Sequence, residues 1–455
     1  MAYVQIPPDS TGKKVFHTSS SLNGDVVYTQ NVHLVDGANP SYAQKVTYDG
    51  AAAVTFLEGN PSITGYQILR VGEPTIIGGY EFTSADMLDL MTTSSLSGSS
   101  VTWESDKSRL VLSTSTDSGS HTNILTNRWH FYQPGMTNTY YINVSLSDTG
   151  VANNIRKWGA YDGDNGLFWG LSGSVPVVGH RTDIAGGGAV DAFIPQSQWN
   201  IDKLDGTGES GLTLDVTKIT KYFITYAWPQ ASRFGITIGP NRYTCHLFSE
   251  TNVSGLPLFR HPHLPAKVSN KNYGAAQITS CDVNWYGTEV STDGKLDYTF
   301  WRYSEPEAEN IKIPADGQHH QLMSVRCSRL DAASGGGNHV TIYPDNLNTY
   351  VEGGPIHVQM WVGGDVVDAV WQSGSGLLEW NSTGSYSSGS EGYGQTGWYI
   401  GTGVEEKELA EYFEENDEAW QTNADLSQPT WTFTAKCLSD TPATASVNIT
   451  YKELR

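Results

Sequence analysis

Apolar and polar residues alternate along most of the chain with a period of two, in short segments closed by Gly, Asn-Gly or Asp-Gly steps. Residues 100–104, 109–114, 139–146, 221–228, 234–238 and 243–248 follow this pattern, as do 277–285 and 357–362. A period of two sends alternate side chains to opposite faces of a pleat, so each segment reads as an antiparallel strand with a buried face. Strands of this length and spacing predict an all-β antiparallel sandwich of jelly-roll type. Residues 84–91, where Asp86 and Asp89 alternate with apolar residues, leave room for one short helix. The strongest helical pattern lies at 403–420. There Glu405, Glu406, Glu408, Glu411, Glu414 and Glu415 can face water, while Leu409, Tyr412, Phe413 and Trp420 form one apolar stripe. One short acidic helix near the C-terminus is therefore expected.

Three regions are expected. Residues 1–68 hold brief apolar runs at 26–28, 32–35 and 53–57, too little for an independent core. They read as an N-terminal docking arm laid on a neighbouring subunit or on a larger particle. Residues 69–267 read as the main β-sandwich domain. Residues 268–455 read as further β-structure that completes or extends the sandwich, with 381–397 as a long Gly/Ser surface loop. No internal repeat or heptad run is visible.

The pattern is densest at 154–215. This stretch opens with Arg156-Lys157-Trp158-Gly159-Ala160-Tyr161-Asp162-Gly163-Asp164-Asn165-Gly166-Leu167-Phe168-Trp169 and closes with Trp199-Asn200-Ile201-Asp202-Lys203-Leu204-Asp205-Gly206-Thr207-Gly208-Glu209-Ser210-Gly211. Rings beside glycine stops suit tight turns braced by aromatics. The two segments resemble a family of tailed-phage virion structural proteins. The resemblance takes in Leu69-Arg70-Val71-Gly72-Glu73-Pro74-Thr75, Phe131-Tyr132-Gln133-Pro134-Gly135 and His263-Leu264-Pro265, in the same order. Two departures are Lys157 between Arg156 and Trp158, and Trp169 after Phe168. The resemblance implies a β-sandwich in an accessory fibre, spike or collar element at the neck, tail or capsid surface, acting without catalysis. It also implies a homo-oligomer, a trimer in preference, with other virion proteins as partners and assembly in the host cytoplasm.

Composition agrees with a rigid β protein: of 455 residues, 16% are charged and 11% aromatic, with 48 glycines, which argues against disorder. The net charge of −21 opposes nucleic acid and anionic membrane surfaces as partners. No stretch approaches membrane-spanning length and the first residues carry no basic-then-apolar leader, so membrane insertion and secretory export are not expected. Cys245, Cys281, Cys327 and Cys437 lie in apolar surroundings without zinc spacing and read as buried free thiols.

The candidate chemistry is sparse. Tyr80, Trp129, Trp158, Phe168 and Trp199 are the expected core or interface anchors. Arg70 and Arg156 are candidates for internal pairing with Glu73 and Asp162. Trp158, Tyr161, Trp169 and Trp199 are candidates for stacking on sugar, which would make a host surface glycan a partner and the chain a carbohydrate-binding attachment protein. Burial between sheets is the other role for the same rings. Asp162, Asp164 and Asn165 could hold Ca²⁺, but the spacing fits turn capping better, and Asp202 and Asp205 follow suit. His261 and His263 flank Pro262, which breaks the regular strand that zinc binding would use, so they and the pair His319-His320 read as polar surface histidines. No cofactor and no metal are expected. A polysaccharide depolymerase would need two positioned carboxylates, and no such pair is legible.

Overall fold

A computed structural model describes the strands Phe16–Leu22 and Asp25–Asn31 and, with interruptions in several loops, residues 74–454. The chain divides into two compact units, residues 1–61 and 62–455. In the first unit the two strands form one antiparallel hairpin with Ser19 opposite Tyr28. The remainder of the expected arm lies outside the described residues.

The second unit is built on two antiparallel sandwiches, each with its own core. In the first, a seven-stranded sheet runs in the order Val190–Pro195, Val175–Thr182, Gly166–Ser172, Asn154–Tyr161, Ala266–Asn272, His121–Thr126 and Met91–Leu96. An eight-stranded sheet packs against it. Its order is Asn241–Ser249, Ala231–Ile238, Thr220–Ala227, Asn138–Leu146, Asp282–Asp293, Arg109–Ser113 and Ser100–Glu104, with Pro74–Glu81 also paired to Asp282–Asp293. Period-two alternation sorts the side chains. Tyr140, Ile142, Val144 and Leu146 on one strand and Tyr222, Ile224 and Tyr226 on its neighbour enter the core. Trp158 and Trp169 meet them from the opposite sheet, with Trp169 5.0 Å from Tyr222 and 6.0 Å from Phe234 between ring centroids.

The second sandwich uses residues 301–454. One sheet orders Trp301–Ser304, Ala443–Leu454, Thr341–Glu352 and Gly403–Glu408, with Ala308–Ile313 also on Ala443–Leu454. The facing sheet orders Gln372–Ser373, Leu378–Asn381, His320–Cys327, Trp431–Cys437, Ile356–Val362 and Tyr393–Ile400. Met323, Val358, Met360 and Phe433 from one sheet close on Leu347, Val447, Ile449 and Tyr451 from the other.

Ala266–Asn272 and Asp282–Asp293 are interior strands of the first sandwich, and the residues beyond it enclose a separate apolar cluster. The alternation was legible; which strands share a core was not, because period two names a face without naming its partner. The acidic helix expected at 403–420 does not take in its first residues; Ala410 is helical, and residues 411–419 lie outside the described residues. Gly403–Glu408 is an edge strand, with Tyr350 opposite Val404 and Asn346 opposite Glu408. Glutamates facing water serve a strand edge as readily as a helix face, so their pattern did not discriminate. Of the expected apolar stripe, Leu409 and Trp420 are buried, while Tyr412 and Phe413 lie outside the described residues. At 84–91 the chain makes a 3-10 turn, Ala85–Leu90. All four cysteines are buried, and none forms a disulfide.

Trp169 is almost fully enclosed, donates its indole N–H to the Phe223 carbonyl at 3.2 Å and touches three further rings. Trp169→Ala should cost about 3–5 kcal/mol, read as a lower urea midpoint of the first sandwich's unfolding transition.

Candidate functional site

The hairpin at the heart of the densest stretch turns at Asp162–Asn165. Asp162 Oδ1 accepts the backbone N–H of Asp164 at 2.6 Å and of Asn165 at 2.7 Å, which fixes the turn as an Asx cap. Gly166 leaves the turn at φ +129°, a conformation that favours glycine, and its missing side chain lets the Ala160–Tyr161 backbone lie against it. Asp202 does the same for the later segment, accepting from Leu204 N–H and Ser210 N–H, each at 2.8 Å. Gly208 lies so close to the Asp202 carboxylate that a Cβ would overlap it. Asp205 Oδ1 accepts from Thr207 N–H at 2.9 Å.

Both carboxyls are held below the usual range. Burial pushes Asp162 up, but hydrogen bonds from His261 and from the Asn165 and Asp164 amides outweigh it. For Asp202 burial again acts upward, and the Leu204 and Ser210 amides prevail. Among the described residues no group of three His, Cys, Asp or Glu converges in the manner of a metal site.

The turn is tied to a distant segment, residues 259–265, whose two prolines exclude it from a ladder. Asn165 Oδ1 accepts the Arg260 N–H at 2.7 Å, Arg260 pairs with Asp183 at 2.8 Å, and His261 Nε2 lies 3.1 Å from Asp162 Oδ2. Beyond Pro262, the ring of His263 stacks on Phe131 at 5.3 Å and its Nδ1 accepts the Tyr132 N–H at 3.2 Å. The carbonyls of the segment are taken by side chains. Trp228 Nε1–H reaches Phe259 O at 2.9 Å, the Tyr226 hydroxyl reaches Pro262 O at 2.6 Å, and the Tyr140 hydroxyl reaches Leu264 O at 2.6 Å. His130 adds Nδ1 to Leu264 O at 3.0 Å and sets Nε2 3.1 Å from the Tyr80 hydroxyl. This network assigns the proton to Nδ1, with Nε2 as acceptor. Three motif-bearing segments, at 131–135, 156–169 and 263–265, thus meet through one node, to which His130 joins Tyr80.

Within this frame Tyr80, Trp129, Trp158, Phe168 and Trp199 are all buried, as are Arg156, Tyr161 and Trp169. Trp158, Trp169 and Trp199 belong to the core between the sheets, with Trp199 edge-on to Trp169 at 5.3 Å. Tyr161 and Phe168 lie on the opposite face, beneath Lys157, whose ammonium is 5.2 and 4.8 Å from their ring centres. None of the four rings considered for sugar stacking presents a face to solvent. Trp129 packs with Leu125, and its backbone N–H donates to Gln421 Oε1 at 3.1 Å. Arg156 does not pair with Asp162. It grips Asp148 through two bonds, Nη2 to Oδ1 at 2.6 Å and Nη1 to Oδ2 at 3.0 Å. Arg156 enters the core between the sheets, whereas Asp162 lies past the strand end, capping its own turn. Arg70 and Glu73 lie outside the described residues. The histidines at 261 and 263 are not surface groups; they are built into the node.

The sequence reading passed over a line of rings on the second sandwich. On Ile356–Val362 the even positions enter the core, and His357, Gln359 and Trp361 face away. Tyr399, across from His357, is 72% exposed. The rings follow one another: Tyr399 to His357 at 4.8 Å, His357 to His319 at 5.4 Å, His319 to Trp361 at 6.4 Å, and Trp361 to Tyr386 at 5.7 Å. Gly397 and Gly394 on the edge strand lie against the His357 and Trp361 rings, where a Cβ would crowd them. Trp361 Nε1–H is anchored on Thr434 Oγ1 at 2.9 Å. The alternation His-x-Gln-x-Trp carried the signal, since period two puts these three side chains on one face.

No protein-family model and no curated protein sequence matches the chain. Solved structures with some similarity include the VIP36 exoplasmic/lumenal domain in its Ca²⁺/Man3GlcNAc-bound form, at 9% identity and a TM-score of 0.31, covering 50% of this chain and 92% of that one. A legume lectin-like domain from Entamoeba histolytica gives 9% identity and 0.29, covering 48% and 98%. The Emp47p carbohydrate recognition domain gives 10% and 0.29, covering 49% and 98%.

The node makes a pH prediction. Burial, with the charge of Arg128, lowers His130 to about 3, and burial, with the charge of His261, lowers His263 to about 3. The unfolded chain takes up these protons near 6.5 while the folded chain refuses them. Stability should therefore be complete above pH 6.5 and fall as pH drops towards 3, by up to about 1.4 kcal/mol per pH unit for each imidazole. Denaturant unfolding between pH 7 and 4 should show this slope, and His263→Gln should reduce it. The Arg156–Asp148 clasp makes another: Arg156→Met should cost about 3 kcal/mol, read by the same unfolding assay.

Proposed function

We propose that the chain is a non-enzymatic structural protein of a tailed-phage virion, a self-associating β-sandwich element of a fibre, spike or collar. One observation carries this reading. Three of the segments that resemble such proteins, 131–135, 156–169 and 263–265, though far apart in sequence, pack into a single node whose polar groups serve architecture. The carboxyls of Asp148, Asp162 and Asp202 accept hydrogen bonds and are held low, the opposite of what a glycosidase's general acid requires. Contact between copies is supported by the edge strand Val190–Pro195, which leaves Val190 66% and Phe193 38% exposed. The resemblance favours a trimer.

A second reading, glycan binding for host attachment, is favoured by the line of rings from Tyr399 to Trp361. An exposed ring can stack on the apolar face of a sugar while imidazole and amide groups beside it bond to hydroxyls.

Localisation of this chain in a cryo-EM map of the assembled particle tests the first reading; absence from purified virions overturns it. Light scattering should give a multiple of the chain mass, reduced by Val190→Asp with Phe193→Asp. For the second reading, a glycan array should show binding that Tyr399→Ala and Trp361→Ala reduce at least about tenfold, the loss of one good stacking contact.

A further inference from the structure

In the second sandwich the strand Trp431–Cys437 lies between His320–Cys327 and Ile356–Val362. Its Phe433 and Ala435 enter the core, so Thr434 and Lys436 face outward. The antiparallel register sets Lys436 opposite His357, and His357 opposite Tyr399. Side chains directly opposite on one face have Cβ atoms about 4.5–5.5 Å apart. On the other flank His320 pairs with Ala435, which brings His319 to the level of Lys436. The His319 ring reaches over the same strand, with Nδ1 3.0 Å from Thr434 Oγ1 and its centre 5.4 Å from that of His357. His319, Lys436, His357 and Tyr399 therefore share one outward row at the end of the ring line.

All four side chains can be reached from solvent: Tyr399 is exposed, and His319, Lys436 and His357 are half-buried. A Cβ at Gly397 would stand 2.9 Å from His357 Nε2, so glycine there keeps a side chain off the imidazole. The carboxylates that make ion pairs in this sandwich serve other groups. Glu379 holds Arg326 at 2.7 Å, Asp345 holds Lys452 at 2.8 Å, and Asp316 faces His320 at 3.0 Å. Among the described residues none pairs with Lys436. Its charge is felt along the row. Burial, then the charges of His357 and Lys436, hold His319 below the usual imidazole range, and burial with the charge of Lys436 does the same for His357. Each ring, kept neutral, offers one N–H and one lone pair to a hydroxyl. A chain of net charge −21 repels anions at large, so a local cation beside an exposed ring marks where one is received.

We propose that this row selects an acidic glycan: the apolar face of a sugar lies on Tyr399, its hydroxyls meet His357 and His319, and Lys436 receives a carboxylate or sulfate. The inference rests on the glycan reading of the ring line and adds a ligand class to it. Tyr399 and Lys436 stand two strand spacings apart, about 9.5 Å between backbones, and the flexible four-carbon stem of lysine shortens that span. A uronate, a sialate and a sulfate ester all supply the required anion on a sugar ring. A charge-assisted bond to any of them is stronger than a bond to a neutral hydroxyl, which is the source of the selectivity.

The test uses the full chain and matched sugar pairs, read by titration calorimetry. The pairs are a glucuronate-containing oligosaccharide against its carboxyl-reduced form, sialyllactose against lactose, and a sulfated galactoside against the unsulfated one. At least one acidic member should bind about tenfold tighter than its neutral partner, and the pair that does so identifies the acid. Raising sodium chloride from about 0.05 to about 0.5 M should weaken the acidic member and spare the neutral one. Lys436→Gln should bring the two members to within about twofold of each other, while Lys436→Arg keeps the preference. Lys312→Gln, the same loss of charge at an exposed site in this sandwich, should change neither. Should Lys436→Gln fail to fold, the salt dependence of the unaltered chain decides. Equal affinity within every pair, a preference retained in Lys436→Gln, or an acidic member indifferent to salt would each overturn the proposal. Neutral sugars bound in that case, and lost with Tyr399→Ala, would leave the glycan reading standing without it; no binding of any sugar would end both.

Discussion

A partly buried segment that cannot join a sheet must still satisfy its inward carbonyls, and that constraint organises the first sandwich. Residues 259–265 contain Pro262 and Pro265, and the chain runs irregularly through the interior side of the fold. An unmet carbonyl there costs about 1–3 kcal/mol. The solution is a set of side chains aimed at backbone: Trp228, Tyr226, Tyr140 and His130 each donate to it. Tyr140 and Tyr226 stand on, and Trp228 directly follows, strands of the eight-stranded sheet, while the segment leads directly into Ala266–Asn272 of the other. The segment therefore fixes one sheet against the other through directional bonds, where apolar contact alone would leave the register loose.

The same logic explains why the aromatic composition is so high. Tyrosine and tryptophan combine a large apolar body with one donor, so a single residue fills the core and satisfies a distant carbonyl. Trp169 fills the intersheet space and bonds Phe223 O; Tyr140 lies in the core and bonds Leu264 O. Histidine plays the same part at position 130, at the cost of an imidazole that must stay neutral.

Much of this architecture was legible in the sequence. Ser100–Glu104 and the strands near 139–146 and 221–228 follow from alternation, and the Asx caps at Asp162 and Asp202 follow from their turn-forming neighbours. Other features were not, for physical reasons. The partner of Arg156 is Asp148, eight residues earlier and across a strand crossover, and charge pairing across a fold leaves no local mark. The role of His263 depends on Phe131 and Tyr132, more than a hundred residues away. Prolines flanking His263 did signal a break in the strand, but only the fold shows what receives the carbonyls. The run Glu405–Glu408 was ambiguous because solvent-facing charge suits both a helix and a sheet margin. The outward rings at His357 and Trp361 were available from period two, yet apolar strand residues around them drew attention to the core.

That acidic margin has a consequence for crowded settings. Among the described residues no strand pairs with the outer side of Gly403–Glu408, which ends its sheet and lies where a passing strand would add. Glu405, Glu406 and Glu408 project from it into solvent, and two copies brought edge to edge would set like charges against each other. The fold thus carries its own deterrent to indiscriminate zippering.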